Sequence, residues 1–574
     1  MSSPTITAGS AKATFAAAYV AVTLAQIANA LPGALNGQFA TEFQASGAGL
    51  TWITSVFVIA IVVFELTFGV LGDLFGRKKL LFGGAAFVFA GTLVSAAATT
   101  TGTMILGQAL GGIGAGIIFP ISLSMIVAIS PDARSRARVI ATWAGFLSLG
   151  AVISPVLAGI TAQIFTVAGA EAGAPNVFSG WRVAYYLAAV VAVVVFLLAL
   201  RSKDSAAPEG RKLDIPGQIT IALGLIAALS ATVMAVDAGF GAPVVIAGYV
   251  IGAVLLVAFV IIELRAKVPL VDLSLFKNPS YAITSIVAVT GMFAFLAICF
   301  STSVAVGALS GVETWKMGVL FVFIQGPAFL LIPVVGWLIH RYSPRWVLTV
   351  GFALMAVCGY WISNLPLGTP EAFGGTPWTA FIAPLFLLGV GFALTMGSVT
   401  AVAINTVEPN YMGMASATTN LLRDLGFALG PTVGSAIAFS IGAALFATSL
   451  GGILTGAGLP AEAIAGLSHV PALGFLSGWD SVLAQFSGEM LASGAPQSAV
   501  DGAVASLTDA QGAIQGSAGA SLGSGFQSVY LVAGIAATVS AVLTLFISGK
   551  KTVSVSDIEL ENLTAAAVSD GSVV

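Results

Sequence analysis

Apolar runs about twenty residues long recur along nearly the whole chain, separated by short charged, proline-containing or glycine-containing breaks. Runs of that length match a hydrocarbon layer about 30 Å thick, crossed by a helix rising about 1.5 Å per residue. The pattern predicts fourteen spans, near 14–35, 50–71, 80–98, 103–129, 139–163, 183–200, 215–237, 243–262, 281–307, 317–338, 346–365, 379–404, 415–441 and 527–548. In lipid a helix satisfies its own backbone polar groups, so the chain is predicted to be an all-α polytopic membrane protein. The pattern fails between 442 and 526. There Ala, Gly, Ser and isolated acids break every apolar stretch, so this segment reads as a linker before the last span. Within it, 477–491 has helical spacing, with Trp479, Val482, Leu483 and Phe486 on one face.

Composition agrees with the pattern. Of 574 residues, 58% are hydrophobic and 8% charged, where a soluble domain carries about 25% charge. A net charge of −3 and the lack of a basic stripe exclude a nucleic-acid binder. Cys299 and Cys358 lie in apolar runs and read as small hydrophobes, and His340 and His469 are too isolated to hold a metal. Gly111, Gly112, Gly114 and Gly116 sit inside an apolar run with no strand before them, which fits helix packing and not a nucleotide loop. No nucleophile–base motif stands out, so no enzyme activity, cofactor or metal is expected. Ala28-Asn29-Ala30 looks like a signal-peptidase site, but Lys12 alone is a weak basic region, and the segment is read as a retained first span.

Charge placement predicts orientation. With both termini cytoplasmic, eighteen of the twenty-one Lys and Arg residues fall in cytoplasmic segments, while 442–526 has none and carries Glu462, Asp480, Glu489, Asp501 and Asp509. Trp52, Trp181, Trp315 and Trp378 fall near outer helix ends, as interfacial anchors do.

Gly69-Val-Leu-Gly72-Asp73-Leu-Phe-Gly76-Arg77-Lys-Lys-Leu80 follows the second span, and a degenerate copy, G-W-L-I-H-R-Y-S-P-R, occupies 336–345. The first resembles the signature loop of the major facilitator superfamily, and two related loops far apart suggest an internal repeat. W-R-V-A-Y-Y at 181–186, L-D-I-P-G at 213–217, the E-x-R, P-L-x-D-L and L-F-K-N elements within 259–278, and N-Y-M-G-M-A-S-A-T-T-N-L-L-R-D-L-G at 410–426 are similar to the fourteen-helix drug:proton antiporter branch. The resemblance implies a six-helix bundle over 1–200, a linker with an extra helix pair over 201–280, a second bundle over 281–548 that includes 442–526, and a disordered cytoplasmic tail over 549–574. It also implies alternating access to a central cavity.

The chain departs from that branch where proton-coupled members carry charge. The helix 1 acid position is Thr23 and the helix 4 arginine position is Gln108. The helix 5 antiporter motif is softened to Gly150, Ser154, Pro155 and Gly159. Neutral replacements avoid stranding a buried charge. Thr23, Gln26, Asn29, Gln108 and Arg423 are then cavity candidates, and Gly69, Gly72, Asp73, Gly76 and Arg77 a gating loop. Glu65, placed about 9 Å inside a helix ending near Leu71, and Asp424 are the proton-coupling candidates; the alternative is a structural carboxylate for Glu65 and gate-side packing for Arg423 and Asp424. Arg423 and Asp424, about 100° apart on a helix, need not pair.

The expected activity is export of small apolar or amphipathic compounds by proton antiport, from the cell membrane and as a monomer, with small-molecule substrate, protons and lipid as partners. The rivals are a proton-independent facilitator or lipid mover, motivated by Thr23 and Gln108, and a non-transporting receptor or scaffold using 442–526.

Overall fold

A computed structural model of the chain describes residues 8–130, 133–165, 179–202, 204, 214–266, 269–369, 375–408, 411–459 and 461–547. The expected disordered tail, 549–574, lies outside the described residues. Among them every regular element is helical. The first bundle is α1 (Ala8–Glu42), α2 (Gly47–Phe75), α3 (Arg77–Ala96), α4 (Thr101–Ala128), α5 (Ala133–Ile164) and α6 (Gly180–Arg201). Then come α7 (Ile215–Ala238) and α8 (Pro243–Glu263). The second bundle has α9 (Pro279–Thr302), α10 (Thr314–Leu330), α11 (Ile332–Arg341), α12 (Pro344–Ser363), α13 (Ile382–Asn405), α14 (Met412–Gly456) and α18 (Gln497–Thr544). Between α14 and α18 stand α15 (Ala461–Leu467), α16 (Ala472–Ser477) and α17 (Trp479–Ala492).

Thirteen described helices are long and apolar enough to cross a membrane, and α10 with α11, bent by 49°, completes a fourteenth. The expected span 317–338 is therefore broken at Leu331. Pro327 removes an amide donor inside α10 and Pro333 sits in the first turn of α11, so the hydrogen-bond ladder fails between them.

The segment 442–526 corrects the linker reading. α14 has 45 residues and α18 has 48, about 68 and 72 Å at 1.5 Å per residue. Each outruns a layer of about 30 Å and continues as the wall of a helical cap. Leu450, Leu454, Phe475, Phe486, Leu507 and Ile514 are buried in its core, and Phe446 meets Phe475 with ring centroids 5.4 Å apart. The predicted amphipathic helix is α17, with Val482 and Phe486 buried. We call this the cap end and the opposite one, with Arg77, Arg136 and Arg341, the basic end.

Small residues allow close helix approach. A Cβ on Gly112 of α4 would lie 2.5 Å from the Phe57 carbonyl oxygen of α2, so packing explains this glycine row. α7 lies along the seam between α2 and α14, where Val58, Leu225, Leu229 and Leu421 are buried together.

Candidate functional site

The two bundles meet along two long seams, α2 against α14 and α5 against α10, with α1 also touching the chain just after α9 and the start of α10. The α2/α14 seam holds the charged groups. Because α2 runs on to Phe75, Glu65 lies about 15 Å inside it, deeper than expected. Its carboxyl group faces that of Asp424 of α14, with Arg423 alongside. Arg423 and Asp424 interact after all: Nε stands 3.3 Å from Oδ1. The long guanidinium arm covers the angle that separates two adjacent helical positions. Asp424 is buried. Two acids from opposite bundles thus share one arginine.

The gating-loop residues cluster at the basic end. Arg77 donates from Nε (3.1 Å) and Nη2 (2.8 Å) to Asp73 Oδ1, and from Nη1 to the Ser124 carbonyl at 3.2 Å. Gly69 faces Pro120 of α4, and a side chain at Gly72 would strike Ile121. Gly76, at φ +101°, makes the turn into α3 in a region that favours glycine. These contacts tie the loop to α4 within the first bundle.

The helix 5 positions face two ways. A Cβ on Gly150 would lie 2.6 Å from the Thr23 carbonyl oxygen, and Ser154 Oγ donates to the Ile27 carbonyl at 3.0 Å, both on α1. Pro155 and Gly159 face α10: a Cβ on Gly318 would lie 2.7 Å from the Pro155 oxygen, and one on Gly159 3.2 Å from Trp315 Cα. Towards the basic end the same seam loosens, and Gly145 meets only Ile332 Cδ1, at 3.9 Å.

Thr23 Oγ1 lies 2.9 Å from the Tyr19 carbonyl and 3.0 Å from that of Phe146, so its hydroxyl is spent on α1 and α5. Gln26 and Asn29 are half-buried on the same helix. Gln108 is 2% exposed, and its Nε2 donates to Ser95 Oγ and Tyr185 Oη at 3.2 and 2.9 Å. Both partners belong to the first bundle. Trp181 corrects the anchor reading. It is 2% exposed, donates to Glu42 Oε2 and stacks edge-on with Phe39, while its neighbour Arg182 pairs with Glu42 at 2.5 Å.

Three groups escaped the sequence reading. Asn36, fully buried, donates from Nδ2 to Ser303 Oγ at 2.9 Å and to Thr54 Oγ1 at 3.2 Å. Ser303 opens a π-helical stretch, Ser303–Leu309, and donates to the Gly33 carbonyl. Gln38 Nε2 donates to Thr314 Oγ1 at 2.8 Å. Together these bonds close the two bundles on each other towards the cap end. Phe295, Phe392 and Phe427 form an aromatic cluster of the second bundle, the first two stacked at 3.8 Å. Asn36 was the legible one, since an amide inside an apolar run needs a partner; the phenylalanines match any lipid-facing residue in type.

Comparison with known proteins agrees with this architecture. The chain is 25% identical over 410 residues to the multidrug resistance protein Stp of Mycobacterium tuberculosis, covering 71% of this chain and 72% of that one. It is 24% identical to multidrug resistance protein 3 of Bacillus subtilis, covering 67% and 71%. Among solved structures, a bacterial homologue of the human lysosomal transporter Spinster matches with a TM-score of 0.57 at 16% identity, covering 94% of this chain and 98% of that one. These relatives are transporters, not enzymes. The sequence model of the Major Facilitator Superfamily matches residues 17–431, and with two bundles, a signature loop bound to α4 and polar groups on the seams between them, the chain belongs to that superfamily.

Proposed function

We propose that this transporter exports small apolar or amphipathic compounds by proton antiport with alternating access, working as a monomer in the cell membrane with both termini cytoplasmic. The observation that carries the reading is the contact between Glu65 and Asp424, because it joins the two bodies that must rock apart. One proton held between the two carboxyls leaves a single negative charge opposite Arg423. Its release leaves two like charges facing across the seam, which pushes the bundles apart. Proton loading and bundle position are then linked, which is the thermodynamic content of coupling. An inward proton releases about 2.3 kcal/mol per 100 mV plus about 1.4 per pH unit. At 100 mV and one pH unit that supports roughly a 500-fold substrate gradient. The relatives' names as resistance proteins support the substrate class.

Flux in reconstituted vesicles across a panel of amphipathic compounds tests the proposal. Glu65→Gln is expected to abolish pH-gradient-driven accumulation and to spare substrate exchange, which needs no deprotonation. Accumulation that survives the substitution makes Glu65 structural. The facilitator reading has one observation in its favour, the neutral Thr23 hydroxyl bound within the first bundle; flux indifferent to the pH gradient would establish it. Orientation is tested by labelling: a cysteine near Ser487 should react with an impermeant reagent outside whole cells, and one near Ser135 should not.

A further inference from the structure

A second pair of facing carboxyl groups stands away from the seam, at the basic end of α7 and α8. Asp214 is the N-cap of α7, its Oδ1 accepting the Gly217 N–H at 3.2 Å. Glu263 ends α8, is 4% exposed, and accepts the Val271 N–H on Oε2 at 3.2 Å. That leaves Asp214 Oδ2 and Glu263 Oε1, both buried and neither with a donor. The two oxygens meet over Gly217, where a Cβ would lie 2.1 Å from Asp214 Oδ2 and 2.7 Å from Glu263 Oε1. Ionised carboxylates only accept, so this contact requires a proton between them. A second buried charge there would stand unpaired, which is strongly unfavourable.

The location gives the pair its consequence. α7 packs on α2 and α14 alike, and Asp237 ties its far end to the first bundle, accepting from Ser46 Oγ at 2.6 Å and from the Ala48 N–H at 3.2 Å at the start of α2. The chain beyond Val271 is held to the second bundle. Asp272 N–H donates to Met414 Sδ at 3.2 Å, and Asn278 Nδ2 to the Thr406 carbonyl. Glu263 therefore joins α7, which lies over the seam, to a segment tied to the second bundle.

We propose that Asp214 and Glu263 form a one-proton clasp, one carboxyl donating to the other carboxylate, which fastens the start of α7, the end of α8 and Val271 together and lets go when the proton leaves. From α7 the charged group facing Glu263 is Asp214, and from the segment after α8 it meets the amides of Leu270 and Val271. Among the described residues no cation faces it. Removing the proton therefore sets two acids against each other, and the Val271 amide loses its fixed acceptor. The clasp is independent of proton antiport: it titrates equally in a protein that moves substrate without protons.

Hydrogen exchange on the purified full-length protein in lipid discs tests it, read on a peptide covering 269–273 and corrected for the intrinsic pH dependence of exchange. In the wild type, protection should fall by about tenfold or more between about pH 6 and about pH 9. Glu263→Gln keeps an acceptor for Val271 and adds a permanent donor to Asp214, so its protection should be the same at both values. Asp214→Asn makes the reciprocal substitution and gives the same comparison should the first variant fold poorly. Gly217→Ala should lose protection at both values, because the methyl group separates the pair. Wild-type protection that does not change with pH overturns the clasp, and so does an equal alkaline loss in wild type, Glu263→Gln and Asp214→Asn.

Discussion

The two seams between the bundles are built on opposite principles. α5 meets α10 through backbone contact, with Gly318 pressed against the Pro155 carbonyl and Gly159 against Trp315. α2 meets α14 through side chains, with Glu65, Arg423 and Asp424 at the contact and α7 laid along the outside. The first is apolar and holds only where two small residues let the backbones touch. The second carries titratable groups that α7 helps to shield from lipid. A close-packed contact is made or broken as a unit, since dispersion attraction falls off within an ångström. A carboxyl pair is instead adjusted by a proton. In such a molecule one seam can act as the mechanical latch and the other as the chemical control, and altering them separately should give different kinds of defect.

The largest effect is expected at the latch. Gly318→Leu inserts a side chain where no Cβ fits, and overpacking of this kind costs about 1–3 kcal/mol. That shifts the balance between seam-closed and seam-open forms by roughly 5- to 150-fold. Transport should fall correspondingly for every substrate, exchange and net flux alike, while membrane insertion persists because neither bundle's own interior is touched. The Glu65→Gln phenotype, loss of accumulation with exchange spared, is the expected contrast. If Gly318→Leu spares exchange too, the seams do not divide the work in this way.

How far the two seams could be read from the sequence differs for the same physical reason. Spans were legible because the bilayer imposes a length and a polarity on each one separately. Gly150, Ser154, Pro155 and Gly159 were found by motif, and Thr23 and Gln108 by their departure from it. The Glu65 contact with Asp424 was not legible, because it joins residues hundreds of positions apart and depends on how two bundles dock. The cap was missed because Ala, Gly and Ser dilute its apolar stripe; its helices hold by packing on the long extensions of α14 and α18, not by local hydropathy. Trp181 was misplaced because a belt tendency says nothing about an individual ring that has Glu42 within reach. The break at Leu331 could have been anticipated, since Pro327 and Pro333 lie in one apolar run.

The smallest expected effect sharpens the comparison from the other side. Asp237 holds the cap end of α7 against α2 by accepting from Ser46 Oγ and the Ala48 N–H. A carboxylate at a helix N-terminus also meets the positive end of the helix dipole. Asp237→Ala removes a capping interaction typically of about 1 kcal/mol, or roughly fivefold in an equilibrium. The residue is exposed, so water takes over the freed amide and the true effect is no larger. The apolar contacts of Leu225 and Leu229 keep α7 on the seam, so flux should change little. What should change is how often the seam is uncovered. A cysteine at the buried Leu229 position should react with a membrane-permeant maleimide up to about fivefold faster in the Asp237→Ala background. Combined with Gly318→Leu, the same cysteine should show no acceleration beyond that of Asp237→Ala alone, since the latch lies on the other seam. A large loss of flux without faster labelling would mean that Asp237 acts on transport directly and that α7 is not the cover of the α2/α14 seam.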